Sequence, residues 1–302
     1  MKTTRGISVT AGLLGAALLL SGCAAGTDKP AGTTGGSSAD LAVNPAAAAL
    51  LPAAITKAGT IIAATAVGYE PYEFKDDAGE FAGLDIDLGH AIGDALGVKV
   101  DFQDASYDSI TGGVKSGRYN ISLTAYTASL AKQKENDLVD YATSKLSILV
   151  RKGNPAGIDG LAGLCGTRVG VEKGSSADLA IGDYIASGAC AKPIDFKVFP
   201  LQADAVTALQ SDRVDAVVVQ SVSGNYVANA NKPTQGLFEI VNDDSFPATS
   251  ISIVVNRDLG LTDAIVAALK ALQADGTFQA IFDKYGVGDA ALTGAAVNSA
   301  TK

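Results

Sequence analysis

The sequence alternates between short apolar runs and amphipathic stretches, and it does so in two separate series. In the first series, "TIIAATAV" (60–67) has the pattern of a short buried strand. "LDIDLGHAIGDALG" (84–97) then carries a leucine or isoleucine at every fourth position, which is the apolar stripe of a helix. Strands that alternate with helices predict a parallel sheet with crossover helices. The chain is therefore predicted to be an α/β protein.

The second series begins after "SILVRKGNP" (147–155) and repeats the same pattern. In all, the patterns predict strands at 60–67, 98–102, 119–125, 167–172, 195–200, 214–220 and 250–256, and helices at 84–97, 107–117, 175–187, 203–211, 222–231 and 261–276. The last strand and helix stand apart from both series and must pack on one of them. About 230 residues, 58–290, are involved, and hydrophobic residues make up 47% of the chain. That is enough for two lobes, each with its own core.

The N-terminus has the features of an export signal. Lys2 and Arg5 precede an apolar run at 7–20, which is too short to cross a bilayer as a permanent helix. The residues that end at Cys23 resemble the bacterial lipoprotein signal, in which the cysteine is lipidated and becomes the N-terminus. The alternative is an ordinary signal peptide with an incidental cysteine. We expect residues 1–22 to be removed and Cys23 to anchor the protein at the extracytoplasmic face of the cell membrane.

Composition predicts that both ends of the chain are unfolded. Residues 23–57 are mostly small or polar and are predicted to form a flexible tether, with a short helix possible within 44–59. Residues 291–302 are predicted to form a disordered tail. The chain carries 23 basic and 32 acidic residues, a formal charge of −9. The charge becomes −11 once the segment with Lys2 and Arg5 is removed. This acidity disfavours nucleic acids and anionic membrane surfaces as partners.

Two further cysteines, Cys165 and Cys190, remain in the folded region. An even number of cysteines in an exported protein favours a disulfide, and closing a loop of about 25 residues is worth roughly 3.5 kcal/mol. The alternative is a metal-binding pair, but neither a histidine nor a third cysteine lies near them in the sequence.

Several segments, in order, are similar to the polar-amino-acid family of periplasmic solute-binding proteins. They are "PYEFKDDAGEFAGLDIDLGHAIGDALGVKVDF", "SGRYNISLTAYT", "LCGTRVGVEKGSSAD", "ALQSDRVDAVVVQS" and "ALKALQADGTFQAIFDKYG". The resemblance implies two lobes joined by hinge strands near 147–152 and 247–254, with a ligand cleft between them. It assigns 58–148 to lobe 1, 149–249 to lobe 2, and 250–290 to a segment that returns to lobe 1.

The same resemblance implies a function. Such proteins capture one small polar solute, an amino acid or a related compound, by hinge closure. They deliver it to a membrane permease driven by an ATPase (an ABC importer), and we expect this chain to do so as a monomer without a cofactor.

A zwitterionic solute needs apolar walls, a carboxylate holder and an ammonium holder. Aromatic faces supply the first and a helix N-terminus supplies anion-binding N–H groups. With the family positions matched residue by residue, the resemblance implies these ligand-binding residues: Tyr69, Asp85, Tyr107, Thr124, Ala125, Thr127, Lys132, Glu172, Ser175, Ser176 and Gln220. The competing interpretations are ordinary structural ones: packed aromatics, helix caps at Asp85 and Ser175, and a solvated rim charge at Glu172.

Three positions depart from the family pattern. Lys132 stands where an arginine usually clamps the solute carboxylate, with Lys134 as a competitor, and lysine lacks the planar two-pronged donor geometry. Gln220 replaces the aspartate that binds the α-ammonium, and Ala66 replaces an aspartate of lobe 1. The solute is therefore either an amino acid held differently or a small carboxylate or amide. If Asp85 and Glu172 face the cleft, a cationic solute also becomes plausible.

Other classes of protein have less support. Ser129 to Lys132 form an SxxK string, as in penicillin-recognising enzymes, but the Lys-Thr-Gly strand is missing. His90, the only histidine, lies mid-helix and has no serine nucleophile pattern around it. The serious enzymatic alternative is a dehydratase acting on cyclohexadienyl acids, with a carboxylic acid such as Glu172 as proton donor. A ligand-sensing receptor not coupled to transport is the other alternative.

Overall fold

The computed structural model describes residues 42–229 and 235–301. In chain order its strands are β1 (Thr60–Thr65), β2 (Phe74–Lys75), β3 (Phe81–Ala82), β4 (Lys99–Asp104), β5 (Ile121–Thr127), β6 (Asp137–Ser144), β7 (Leu146–Arg151), β8 (Arg168–Glu172), β9 (Asp195–Phe199), β10 (Ala216–Gln220), β11 (Phe238–Val241) and β12 (Thr249–Val255). Its α-helices are α1 (Pro45–Ala48), α2 (Ala53–Ala58), α3 (Leu84–Leu96), α4 (Ile110–Lys115), α5 (Leu130–Gln133), α6 (Ser176–Ala186), α7 (Gln202–Gln210), α8 (Ser221–Asn229), α9 (Thr262–Asp275) and α10 (Thr277–Lys284).

The strands form two five-stranded sheets and one small hairpin, β2-β3. Lobe 1 is built on the sheet β4-β1-β5-β12-β6, and lobe 2 on the sheet β11-β7-β10-β8-β9. In lobe 1, β1 pairs in parallel with β4 and β5, whereas β12 is antiparallel to β5 and β6. In lobe 2, β8 pairs in parallel with β9 and β10, whereas β7 is antiparallel to β10 and β11. The predicted two-lobed α/β fold is confirmed, and the antiparallel strands are additions to the predicted parallel order.

The chain crosses between the lobes twice, at neighbouring places. It passes from β6 to β7 at Lys145 and returns between β11 and β12. The first predicted hinge, 147–152, lies a few residues too late, because those residues form β7 inside the sheet of lobe 2. The second predicted hinge, 247–254, overlaps the start of β12. The Thr249 hydroxyl donates to the Ser144 carbonyl (3.3 Å), so the two connections are bonded to each other.

The helices cover the sheets with the apolar faces that the sequence indicates. The stripe on α3 is fully buried, and so are Leu261, Ile265, Leu269 and Leu272 around α9. Helix α9 packs on α3 in lobe 1, which is where the last strand and helix of the chain belong. Gly83, with φ of +126°, begins α3 at a point where a Cβ atom would lie 2.2 Å from the Tyr72 carbonyl oxygen. A glycine is needed there because the loop that carries Tyr69 runs directly over it.

The predicted tether is wrong from residue 42 onward. Asn44 caps α1 through its side chain, and its backbone N–H donates to the Ala95 carbonyl at 2.8 Å. Ala47 and Ile55 are buried in lobe 1, so helices α1 and α2 belong to the folded protein. The predictions for the signal peptide, Cys23 and the earlier part of the tether lie outside the described residues.

The predicted disordered tail is also wrong, for residues 291–301. This segment runs along β6, at the edge of lobe 1. The Asn298 side chain accepts from the Leu138 N–H (3.0 Å), and the Ala296 carbonyl accepts from the Asp140 N–H (2.9 Å). The segment therefore pairs backbone groups of an edge strand that would otherwise be open.

Cys165 and Cys190 form a disulfide, with their Cα atoms 5.3 Å apart. The bond ties the turn before β8 to the loop after α6, at the far end of lobe 2 from the cleft. Within residues 42–229 and 235–301, no helix has the length and apolar character needed to cross a bilayer.

Candidate functional site

The candidate site lies where the carboxyl ends of the strands of lobe 1 and lobe 2 face each other. Tyr69 and Tyr107 follow β1 and β4, and Thr124 and Ala125 lie near the end of β5. In lobe 2, Glu172 ends β8 and Gln220 ends β10. Ligands of open α/β sheets bind at this edge because the loops there are free to vary. The full lining consists of Tyr69, Tyr107, Thr124, Ala125, Leu146, Glu172, Ser175, Ser176, Ala177, Gln202, Val218, Val219 and Gln220.

The lobes meet directly across this cleft. The Gln220 side-chain amide donates to the Ala125 carbonyl (2.9 Å) and to the Thr127 hydroxyl (3.1 Å), and the Gln220 N–H donates to the Tyr69 hydroxyl (3.3 Å). The Thr127 hydroxyl also contacts that of Ser176 at 3.3 Å. The enclosed space is about 10 Å³, roughly the room for one water molecule. The structure is therefore a closed arrangement, and a solute enters only when the lobes part.

The two predicted aromatic residues line the cleft, but the predicted lysine does not. Tyr69 and Tyr107 form the aromatic wall, and Tyr107 also stacks on Tyr126, with ring centroids 4.9 Å apart. The Lys132 Nζ lies 3.9 Å from the centre of the Tyr126 ring and donates to the Thr127 carbonyl at 3.0 Å. Burial lowers the pKa of Lys132 to about 8. Lys132 thus lies behind the wall rather than in the lining, and the predicted carboxylate clamp is not formed in this arrangement.

Two lobe 1 groups that were predicted to bind the solute carboxylate, at Thr124 and Ala125, are hydrogen-bonded to other groups of lobe 1 instead. The Thr124 hydroxyl accepts from the Ala66 N–H and donates to Glu73 Oε1, both at 2.9 Å. The Ala125 N–H donates to Asp85 Oδ2 at 2.7 Å. These groups define the floor of the cleft, but their hydrogen bonds run into lobe 1.

Asp85 does not face the cleft, which contradicts its predicted role as a ligand-binding residue. It is completely buried at the start of α3, where it accepts from the Ala125 N–H and from the Tyr141 hydroxyl (2.7 Å). Burial raises the pKa of Asp85 to about 7. Its role is to hold the floor strand β5 in position.

Glu73 forms a buried pair with Asp85 and is a residue that the sequence patterns did not indicate. Glu73 Oε2 has no donor among the described residues, and the Glu73 and Asp85 carboxyls are within hydrogen-bonding reach of each other. Burial raises the pKa of Glu73 well above its usual value, and the negative charge of Asp85 adds to this. Two carboxyl groups in contact share a proton rather than ionise together. The loop position after "GYEPY" gives no hint of this, because the pair forms only when the loop packs on α3.

Helix α6 points its N-terminus at the cleft, as predicted from "GSSAD". Ser175 is the N-cap, and its hydroxyl accepts from the Asp178 N–H at 3.1 Å. Ser175, Ser176 and Ala177 all line the cavity. The N-cap interpretation and the site interpretation of Ser175 are therefore compatible.

Lobe 2 contributes three polar side chains in a row. Glu172 is buried, and the loss of hydration raises the pKa of its carboxyl to about 8, although the Gln202 backbone N–H partly offsets this. Gln202 lines the same cavity and was missed by the sequence analysis. Its position at the start of the helix that follows β9, at the edge where ligands bind, was the signal available.

Ser129 and His90, which were considered for enzymatic roles, make structural contacts. Ser129 of the SxxK string caps α5 by accepting from the Lys132 N–H. His90 packs against Phe102 with ring centroids 5.5 Å apart. In the part of the chain that the structure describes, no cluster of His, Cys, Asp and Glu is arranged to hold a metal ion.

Comparison with known proteins agrees with the fold. Residues 61–288 match the family model described as bacterial extracellular solute-binding proteins, family 3. The arginine-binding extracellular protein ArtP of Bacillus subtilis is 26% identical over 230 residues, which cover 76% of this chain and 87% of ArtP.

Solved structures with the same fold include an ancestral arginine-binding protein bound to arginine. It is 30% identical, with a TM-score of 0.67 over 76% of this chain and 98% of that one. An ancestral amino acid-binding protein described as a precursor of cyclohexadienyl dehydratase is 28% identical, with a TM-score of 0.66 over 77% and 97%. Because the family model covers most of the chain and the two-lobed fold agrees with it, the protein belongs to family 3 of the bacterial extracellular solute-binding proteins.

Proposed function

We propose that the protein captures one amino acid-type solute in the cleft between its lobes and delivers it to an ABC permease. The observation that carries the proposal is the cleft itself: it is lined by two tyrosine rings, a helix N-terminus and buried polar side chains from both lobes. Aromatic faces suit an aliphatic stem, and the N-terminus of α6 suits a carboxylate. Relatives named for arginine binding support an amino acid as the class of solute.

Closure is the binding mechanism in this proposal. A solute between the lobes stabilises the closed state by the contacts that it makes only there. The bonds from Gln220 to Ala125 and Thr127 are among the contacts that join the lobes in the closed form. The permease and its ATPase then act on the closed form.

The anchor is a second part of the proposal. Lipidation of Cys23 would keep the protein at the outer face of the membrane beside its permease. In this proposal the protein captures its solute as a monomer. A Cys23→Ser variant should leave the membrane fraction of cells and appear in the soluble exported fraction or the medium. If wild-type protein lacks a mass increase from acyl chains on Cys23, the anchor is wrong, while the capture function is unaffected.

A dehydratase on the same fold is the alternative that one observation favours. Glu172, whose pKa is raised to about 8, would be protonated at neutral pH and able to donate a proton in the cleft. Turnover of a cyclohexadienyl acid that disappears in Glu172→Gln would establish an enzyme. We favour a binding protein because the relatives reported above are named as binding proteins.

The experiment that tests capture is a thermal-shift screen of the purified protein against the twenty amino acids, their amides, small amines and carboxylates. We expect one chemical group of compounds to raise the melting temperature and to reduce the radius of gyration in solution scattering. A compound that raises the melting temperature without compaction would contradict hinge closure. No shift with any amino acid-type compound would contradict the proposed solute class.

A further inference from the structure

The unused hydrogen-bonding capacity of the cleft lies on lobe 2. On lobe 1, the Thr124 hydroxyl and the Ala125 N–H are bonded to groups of their own lobe. On lobe 2, Gln220 Oε1 has no donor and Gln202 Nε2 has no acceptor among residues 42–229 and 235–301. Both side chains line the cavity, and both residues are more than nine-tenths buried, with 6% and 4% of their surface exposed.

Buried amide groups are almost always hydrogen-bonded, so two unpartnered ones in a single cavity point to a missing partner. The orientation of the Gln220 amide is fixed by its surroundings. Its nitrogen lies 2.9 Å from the Ala125 carbonyl, which only accepts, so its oxygen is the free atom. The cleft therefore offers an acceptor at Gln220 and a donor at Gln202.

Strand order places Glu172 between these two groups. Glu172 ends β8, which lies between β10 and β9 in the sheet, while Gln220 ends β10 and Gln202 follows β9. Neighbouring strands are about 4.8 Å apart, so the row Gln220–Glu172–Gln202 spans roughly 10 Å at its backbone. Gln202 is the first residue of α7, and its side chain comes from a rigid element rather than a loose loop.

We propose that Gln202 is a solute-binding residue whose Nε2 donates to a carbonyl oxygen of the solute. In this proposal the row Gln220–Glu172–Gln202 selects a solute that carries an uncharged amide group, a carboxamide or a ureido group. The inference rests on the proposed capture function and narrows its solute class. An amide has both the N–H that Gln220 and Glu172 accept and the oxygen that Gln202 requires.

Charged head groups fit the row less well. A guanidinium or ammonium group can pair with the Glu172 carboxyl only in the ionised form that burial disfavours. Such groups have only donors, so they also leave the buried Gln202 nitrogen unpaired. A carboxylate has only acceptors, so it leaves Gln220 Oε1 unpaired. An unpaired buried polar group costs more than its hydrogen bond contributes, which makes the row selective.

Two matched pairs of compounds test the proposal by calorimetry on the purified protein: L-citrulline against L-arginine, and L-glutamine against L-glutamate. The members of each pair have nearly the same shape and differ only in the head group. We expect the uncharged member of at least one pair to bind roughly tenfold or more tightly than its partner. Gln202→Glu, which keeps the shape but removes the donor, should abolish that preference. The matched control is Gln210→Glu, the same substitution at the exposed end of α7, which should leave it unchanged.

Each outcome has a definite meaning. A preference for arginine or glutamate, or binding of none of the four compounds, overturns the amide class. If the thermal-shift screen still finds an amino acid-type solute, the capture function stands even though the amide class is wrong. A preference for citrulline or glutamine that survives both Gln202→Glu and Gln202→Ala overturns the role of Gln202. Circular dichroism of each variant separates loss of binding from loss of folding.

Discussion

At the scale of single residues, Ala125 connects the two lobes. Its backbone has φ of +47°, a left-handed conformation that is unfavourable for a residue with a Cβ atom. Its N–H bonds to Asp85 inside lobe 1, and its carbonyl accepts from Gln220 of lobe 2. The buried carboxyl of Asp85 therefore holds the peptide that lobe 2 contacts on closure.

Replacing Asp85 by Asn should destabilise the protein. The amide cannot accept from both the Ala125 N–H and the Tyr141 hydroxyl, so one buried donor loses its partner. We expect a loss of about 2 kcal/mol in the free energy of unfolding, measured by urea denaturation. Tyr141→Phe is the control, because it removes only one of the two bonds and should cost about 1 kcal/mol. An unchanged midpoint in Asp85→Asn would contradict the role assigned to this residue.

Stability should also fall as the pH rises from about 5 to 8. The pKa values of Asp85 and Glu172 are raised by burial to about 7 and about 8, so the folded state binds protons that the unfolded chain has released. Their contribution is complete below the unfolded pKa of about 4 and is lost as the pH passes 7 and 8, at up to about 1.4 kcal/mol per pH unit for each group. The exposed carboxylates with lowered pKa, such as Asp212, act below this window.

Urea denaturation at intervals between pH 5 and 8 measures this slope. Glu172→Gln should flatten it, since the neutral amide cannot release a proton. A stability that rises across the window, or an equal slope in the variant, would show that these groups do not control it.

At the scale of elements, the C-terminal segment protects the edge of lobe 1. Asn298 accepts from the Leu138 N–H and donates to Asp137 Oδ1 at 3.0 Å. Ser299 also donates to Asp140. Together with the bridges from Val297 to Val139 and from Ala291 to Ala142, these bonds attach the segment to β6.

Asn298→Ala should lower stability by about 1–2 kcal/mol and speed hydrogen exchange at the Leu138 amide. Thr293→Ala, at an exposed position of the same segment, is the control. Equal exchange rates in both variants would mean that the segment does not protect the edge in solution.

The disulfide acts on lobe 2 in a different way, because it constrains the unfolded chain. Replacing both Cys165 and Cys190 by Ser should cost roughly 3.5 kcal/mol of stability and leave solute affinity unchanged, since the bond lies away from the cleft. Urea denaturation of the variant measures the loss of stability, and calorimetry measures its solute affinity. A loss of affinity larger than the loss of stability would connect the disulfide to the site.

At the scale of the whole molecule, the balance between open and closed forms depends on a few direct bonds between the lobes. Ser223 of lobe 2 donates to the Glu70 carbonyl of lobe 1, and Lys173 forms an ion pair with Asp108 at 2.6 Å. The ion pair is largely exposed, so it contributes little. The serine bond is half-buried and more specific.

Ser223→Ala should therefore shift the solute-free protein toward the open form by about 1 kcal/mol, a roughly fivefold change in population. Fluorescence energy transfer between labels on the two lobes measures this shift. Asp108→Asn is the control and should have a smaller effect at physiological salt. A larger effect from Asp108→Asn would mean that surface charge, rather than the half-buried Ser223 bond, controls closure.

The sequence by itself determined the series of strands and helices, because the apolar positions repeat with the period of each element. The stripes on α3 and α9 are buried as that period requires. Its resemblance to a known family, carried over residue by residue, predicted Tyr69, Tyr107, Glu172, Ser176 and Gln220 at the cleft, and all five line the cavity.

Only the tertiary structure decided which of those groups are free to bind a solute. Asp85 and Thr124 carry the right chemistry, but their hydrogen bonds are used by partners distant in sequence, which no local pattern encodes. Gln202 has no motif at all and reaches the cleft only because β9 lies beside β8. Likewise, the C-terminal segment looks disordered by composition but is ordered by the backbone groups of β6. Local periodicity specifies elements, whereas the pairing of polar groups is fixed only when the elements pack.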